Sequence, residues 1–216
     1  MSSRGELTTT SYAILGLLSL RSWTTYELAV QMERTLNRMW PRARSKLYDE
    51  PKKLVAHGLA KSAKERVGKR PRTVYSITPQ GRRALSAWLK IPAGEASLEF
   101  EPLIKLFFVD QGTKADALAV LESTEAWARE QLAVFAEAAR AYLAGEGTFP
   151  ERAATNIPGA RFMVDYYESI FRWAQWARSV VKTWPQDPSR AKPDWSVMKD
   201  IVRRVEALGI PAASGE

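Results

Sequence analysis

The sequence predicts a mainly α-helical protein in two parts, a small N-terminal helical unit carrying a β-ribbon and a longer C-terminal part built of helices alone. Three observations carry this expectation. Apolar residues recur at helical spacing along most of the chain. Strand-forming residues gather around one Gly/Pro turn, in "ERVGKRPRTVYSIT". Charge also divides near residue 90: residues 1–90 hold 18 Lys and Arg against 6 Asp and Glu, a net +12, whereas residues 91–216 hold 14 against 18, a net −4. Domains of 1–90 and 91–216 follow, the first suited to a polyanion and the second to another task.

Composition excludes several classes. The 216 residues hold no Cys, which removes a disulfide framework, a thiolate metal site and a cysteine nucleophile together. "MSSRGELTTT" lacks the apolar core of a signal peptide, and the longest apolar stretches, such as Leu103 to Val109, fall far short of a bilayer of ~30 Å. The expectation is a cytoplasmic protein with no membrane partner.

The elements follow in order. "TTTSYAILGLLSL" sets Ile14, Leu15, Leu17 and Leu18 at helical steps, a helix from Thr8 to near Arg21 largely buried in a small core. In "SWTTYELAVQM", Thr24 and Glu27 form a capping box, with Trp23 and Leu28 as the hydrophobic staple, so a second helix starts at Thr24 with Leu28, Met32 and Leu36 as its stripe. "RARSKLYDEPKKLVAHGL" reads as a third helix. Leu47, Pro51, Leu54 and Val55 share one side, and Ser45, Lys46, Asp49, Lys52 and Lys53 lie toward the other. Gly58 occupies the left-handed stop position, and His57, the sole His, reads as a helix-end residue rather than a ligand or base. Pro51 should bend the helix, since it removes a backbone donor.

"LAKSAKERVGKRPRTVYSIT" is a hairpin with a cationic tip formed by Lys69, Arg70 and Arg72, and Thr78 with Pro79 then starts a fourth helix. Three helices followed by a two-stranded basic ribbon make a winged helix-turn-helix. In such a unit the second of the paired helices enters the major groove and a basic wing reaches the minor groove, so cations on the free face are aimed at phosphate.

"YAILGLLSLRSWTTYELAVQM", "SKLYDEPKKLVAHGLAKS" and "RTVYSITPQGRRALSAWL" together resemble the PadR-type transcriptional regulators over residues 8–90. The carrying motifs are L-G-L-L, S-x-L-Y and Y-x-I-T-x-x-G. The resemblance implies a dimeric, sequence-specific DNA-binding repressor whose C-terminal helices make the dimer, with Tyr48, the start of the third helix and the wing near DNA. Pro51 departs from the family's pattern, in which a Pro stands nearer the start of this helix.

In the C-terminal half, "SLEFEPLIKLFFVDQ" reads as a helix of moderate length joining the two domains. Thr113 then caps a long helix to about Ala144, with Asp116 completing the box. Positions 118, 121, 125, 128, 132, 135, 139 and 142 form a 3-4 repeat broken only by Glu125. "TFPERAATNIPGA" reads as a loop. The following helix has apolar residues on several faces and must be covered on several. These two helices are expected to build a dimer interface from Leu118, Leu121, Leu132, Phe135, Tyr166, Ile170 and Trp173. Relatives often respond to small aromatic or lipophilic molecules, so an effector pocket among Tyr166–Trp176 is the alternative use of these aromatics. A last helix near Asp194–Leu208 carries Trp195, Met198, Ile201, Val202 and Val205 on one side.

The leading function is a homodimeric repressor on an inverted repeat in double-stranded DNA. Arg42, Arg44, Lys52, Lys53 and the wing would contact phosphate, and Ser45, Lys46, Tyr48 or Asp49 would read bases. A winged-helix module docking an acidic protein is the alternative. An enzyme is not expected: there is no Ser-His-Asp set, phosphate-cradling Gly loop or metal-spaced cluster, and Glu99, Glu101 and Asp110 read as solvent faces. No cofactor or metal is called for.

Overall fold

The computed structural model describes residues 6–41, 44–67 and 70–210, with the side chains at 44–46, 67 and 70 outside that description. The chain divides into two compact units, Met1–Ala96 and Ser97–Glu216.

The first unit runs α1 (Thr9–Leu20), β1 (Trp23–Thr24), α2 (Thr25–Thr35), α3 (Arg44–Ala56), β2 (Ala60–Val67), β3 (Arg70–Ile77) and α4 (Pro79–Trp88). Local chemistry sets the helix starts. Thr8 and Ser11 cap α1 reciprocally, and at α2 the Thr24 backbone N–H donates to Glu27 Oε2 at 2.7 Å while Thr24 Oγ1 accepts from the Glu27 N–H. Ile14, Leu15 and Leu18 from α1 meet Leu28 and Met32 from α2 and Leu47 and Leu54 from α3 as the buried core. Trp23 is buried with its indole N–H donating to the Leu17 carbonyl at 2.8 Å, so no polar group is stranded. The α3 helix runs through Pro51, whose ring is buried on the core side.

The sheet is three-stranded, in the order β1-β3-β2, and not the two-stranded ribbon expected. Strand β1 pairs Trp23 with Tyr75 and Thr24 with Val74. Two residues are too few to show a strand period, and these two already serve as staple and cap of α2. The wing itself pairs antiparallel from Ala60↔Ile77 to Val67↔Arg70.

The wing's exit is fastened to the end of α3. Thr78 Oγ1 donates to the Gly58 carbonyl at 2.7 Å and accepts from the Gly81 N–H at 3.0 Å, and the Thr78 N–H donates to the Leu59 carbonyl. Gly58 takes φ +72°. Gly81 is needed for a different reason: a Cβ there would lie 2.1 Å from the Leu59 carbonyl oxygen. The I-T-x-x-G run thus ties the wing to α3.

The second unit holds α5 (Glu101–Phe107), a 3₁₀ turn, α6 (Lys114–Leu143), another 3₁₀ turn, α7 (Ala153–Lys182), a third turn and α8 (Trp195–Glu206). The first of these helices is only seven residues long. Helices α6 and α7 form an antiparallel pair: Lys114 Nζ donates to the Lys182 and Trp184 carbonyls at one end, and Tyr142 and Asn156 meet at the other. Ala117, Leu121, Ala177 and Val181 make a buried cluster between them. The segment expected as a loop is partly helix, because α7 starts at Ala153 and continues through Pro158. Residues 154–162 are exposed, so the carbonyl that Pro158 leaves without a helical donor can turn to water. Among the described residues no helix is long and apolar enough to cross a membrane.

Candidate nucleic-acid interface

The outward face of α3 carries Asp49 and Lys52, both well exposed, with Lys52 Nζ donating to Asp49 Oδ1 at 3.1 Å. Tyr48, half-buried, lines a shallow cleft with Thr25 and Tyr26 of α2 and Arg72 and Thr73 of β3. This cleft brings together residues from four elements, β1, α2, α3 and β3. Its lining is phenolic, hydroxylic and cationic with the carboxylate of Glu27 beside them; the phenols, hydroxyls and guanidinium are donors of the kind that hold phosphate and sugar oxygens.

Lys53 departs from its expected place beside Lys52. Its ammonium donates to the Glu6 carbonyl and stands 3.8 Å from Glu50 Oε1, with the side chain 23% exposed. The reason is Glu50, whose carboxylate accepts from Ser11 Oγ at 2.6 Å and is only 14% exposed. A carboxylate so covered needs a cation, and Lys53 is one turn away. Lys53 therefore fastens α3 to the start of α1.

On the wing, Arg72 Nη2 and Nε both donate to Glu65 Oε2, at 2.8 and 3.2 Å, and the two residues are directly opposed in the β2–β3 register. Arg42 and Lys69 lie outside the described residues, as do the side chains of Arg44, Ser45, Lys46 and Arg70. Beyond the hairpin tip that the sequence predicts as the cationic part of the wing, Lys61, Lys64 and Arg66 are exposed along β2. Alternation could not reveal them, because residues 61–66 are all exposed. Tyr26, at the start of α2, is 65% exposed and adds a phenol that the helix's buried stripe does not announce.

No grouping of three or more His, Cys, Asp or Glu able to hold a metal occurs among the described residues. In the second unit Leu121 is wholly buried and Ile170 nearly so, within their own chain. Leu118 and Trp173 pack against the same α6–α7 core, and Tyr166 stacks edge-on against buried Tyr167. Helix α7 thus covers one side of α6 within the chain. Leu132 and Phe135 instead line an open groove of about 740 Å³ with Phe171 and Gln175. Other apolar surface remains uncovered in the monomer: Phe107 and Phe108 near α5, and on α8 Trp195, Met198, Ile201, Val202 and Val205.

The family model for the transcriptional regulator PadR-like family matches residues 14–87, and that for the virulence activator alpha C-terminal domain matches residues 101–182. No curated protein matches the chain. Among solved structures, Bacillus subtilis PadR in complex with operator DNA is similar at TM-score 0.70 and 19% identity, over 81% of this chain and 99% of that one. The same protein in complex with p-coumaric acid is similar at TM-score 0.62 and 17% identity, over 82% and 99%. The Vibrio cholerae virulence activator AphA is similar at TM-score 0.60 and 22% identity, over 81% and 98%.

Proposed function

We propose that the chain is a PadR-like transcriptional regulator in the longer form with a C-terminal helical domain, a sequence-specific DNA-binding repressor acting as a homodimer on an inverted repeat; the family models matching residues 14–87 and 101–182 support this reading. The observation that carries this reading is the cleft in which Tyr48 of the third helix and Arg72 of the wing face one space. A duplex laid along the outward side of α3 would meet Tyr48, Asp49 and Lys52 first, with Asp49 suited to accept from cytosine N4. Arg72, Lys64 and Arg66 would follow the backbone or the adjacent minor groove. Arg42, Arg44, Ser45, Lys46, Lys69 and Arg70 retain their proposed roles from sequence, whereas Lys53 is assigned to holding α3 in place.

Dimerisation is assigned to the second unit, through the apolar surface it leaves uncovered. A small aromatic or lipophilic effector is the alternative occupant of the α6–α7 groove. Of the relatives, PadR has been solved with p-coumaric acid, which makes hydroxycinnamic acids the first probes.

Binding-site selection from random duplexes at two salt concentrations tests the reading. An enriched inverted repeat with half-sites about one helical turn apart is expected, with affinity falling steeply as salt rises. Salt-sensitive retention with no enriched sequence would replace it with an architectural role, and no retention would move the weight to docking an acidic protein.

A further inference from the structure

The two wing strands hold five cations, Lys61, Lys64, Arg66, Arg70 and Arg72, and one acid, Glu65. That acid is not placed at random. It stands directly across the ladder from Arg72, which also lines the cleft shared with Tyr48. Two donors of the guanidinium converge on a single carboxylate oxygen. The geometry copies the way a guanidinium meets a phosphate oxygen.

Building on the DNA-binding reading, we propose that Glu65 is a specificity-determining residue, an in-chain stand-in for phosphate that makes the contact of Arg72 with a duplex conditional and so suppresses sequence-blind binding. The physical argument does not need a strong pair. Both side chains are 46% exposed, and such a pair contributes little in water. What matters is that the carboxylate is fixed by strand register beside the guanidinium. A phosphate approaching Arg72 from any sequence meets Glu65 at close range and is repelled. Only a site that seats the rest of the interface, α3 included, holds the duplex where Arg72 can leave Glu65 for a groove or backbone oxygen. The wing then adds less to random-sequence affinity than its cations would suggest, and discrimination rises.

The test uses the full chain and fluorescence anisotropy on two duplexes, a random-sequence 30-mer pool and the pool enriched by selection, across a salt series. Glu65→Gln keeps the shape and removes the charge. It is expected to bind the random pool about 3- to 10-fold more tightly, with a salt slope steeper by about one phosphate contact, and to show a smaller ratio between enriched and random pools. In an Arg72→Ala background most of that gain should vanish, because the acid acts through Arg72. Equal affinities and slopes for wild type and Glu65→Gln would leave the pair as a wing fastener and overturn the proposal. Weaker binding of both pools would overturn it too. If wild-type protein retained neither pool, the DNA-binding reading would fall with it, whereas duplex binding with unchanged slopes sinks the role of Glu65 alone.

Discussion

At Glu125 a carboxylate is 4% exposed between α6 and α7, at the one position that interrupts the apolar repeat of α6. Its Oε1 accepts from Arg129 at 2.8 Å and Gln175 at 3.1 Å; Arg178 comes within 3.0 Å of Oε2 but off the line of a hydrogen bond, so that contact is coulombic. The partners are less covered than the acid: the side chains of Arg129 and Arg178 are 65% and 32% exposed and can turn to water if it is removed. The asymmetry decides two substitutions. Glu125→Leu, which fills the space with an apolar side chain, should leave stability within about 1 kcal/mol of wild type or raise it, whereas Arg178→Ala should cost about 2 kcal/mol by stripping a buried oxygen. Thermal melting followed by circular dichroism orders them, and a Glu125→Leu protein melting below Arg178→Ala would refute this account. Two glycines make a similar contrast. Gly81→Ala forces a methyl against the Leu59 carbonyl and should cost about 3 kcal/mol, since backbone cannot yield. Gly159, inside α7 with open space around its Cα, should gain about 1 kcal/mol on conversion to Ala.

Helix α2 starts where its cap puts it, and the cap titrates. The Thr24 backbone N–H holds the Glu27 carboxyl below its ordinary value of 4.5; burial opposes this, and the Thr24 hydroxyl and the nearby Arg21 charge add to the lowering. A carboxyl lowered on folding stabilises the folded state fully above its unfolded value and loses that contribution as pH falls through the folded one. The expected result is flat stability from this group between pH 7 and 5 and a decline below about 4.5, with the decline reduced in Glu27→Gln, which can still cap. An unchanged acid limb in that variant would assign the decline elsewhere. Caps of this kind are what the sequence states most clearly, because Thr24 to Glu27, Thr113 to Asp116 and Thr78 to Pro79 each lie within one turn. The same holds for the buried stripes of α1 and α2. Harder to read was whatever depends on a partner distant in sequence. Strand β1 exists because Tyr75 and Val74 arrive beside it, Lys53 turns inward because Ser11 draws Glu50 toward α1, and Arg72 is held because the hairpin register opposes it to Glu65. The reach of α7 back to Ala153 was hidden by Pro158, a residue that argues against a helix wherever its surroundings are unknown.

For the molecule as a whole, the question is what covers α8. Asp194 caps it through the Ser196 N–H and its ion pair from Arg203 to Asp200 is local, yet every described residue from 201 to 210 is exposed, with Ile201, Val202 and Val205 on one side. A helix with so one-sided a face gains little by standing in water, and a second copy of the chain offers the same face by symmetry. Since that face makes no buried core in the monomer, charging it should not disturb the chain's own fold. Ile201→Glu with Val202→Glu is therefore expected to keep the helical content and melting temperature of the second unit while sedimenting as a monomer at micromolar concentration. Two linked recognition helices bind an inverted repeat with an advantage of order 10² or more over one, so the monomeric variant should lose about that factor on an enriched duplex and almost none on a random one. A variant that stays dimeric would place the seam on the α6–α7 groove or on Phe107 and Phe108. One that is monomeric yet binds the enriched duplex as tightly as wild type would separate dimerisation from recognition altogether.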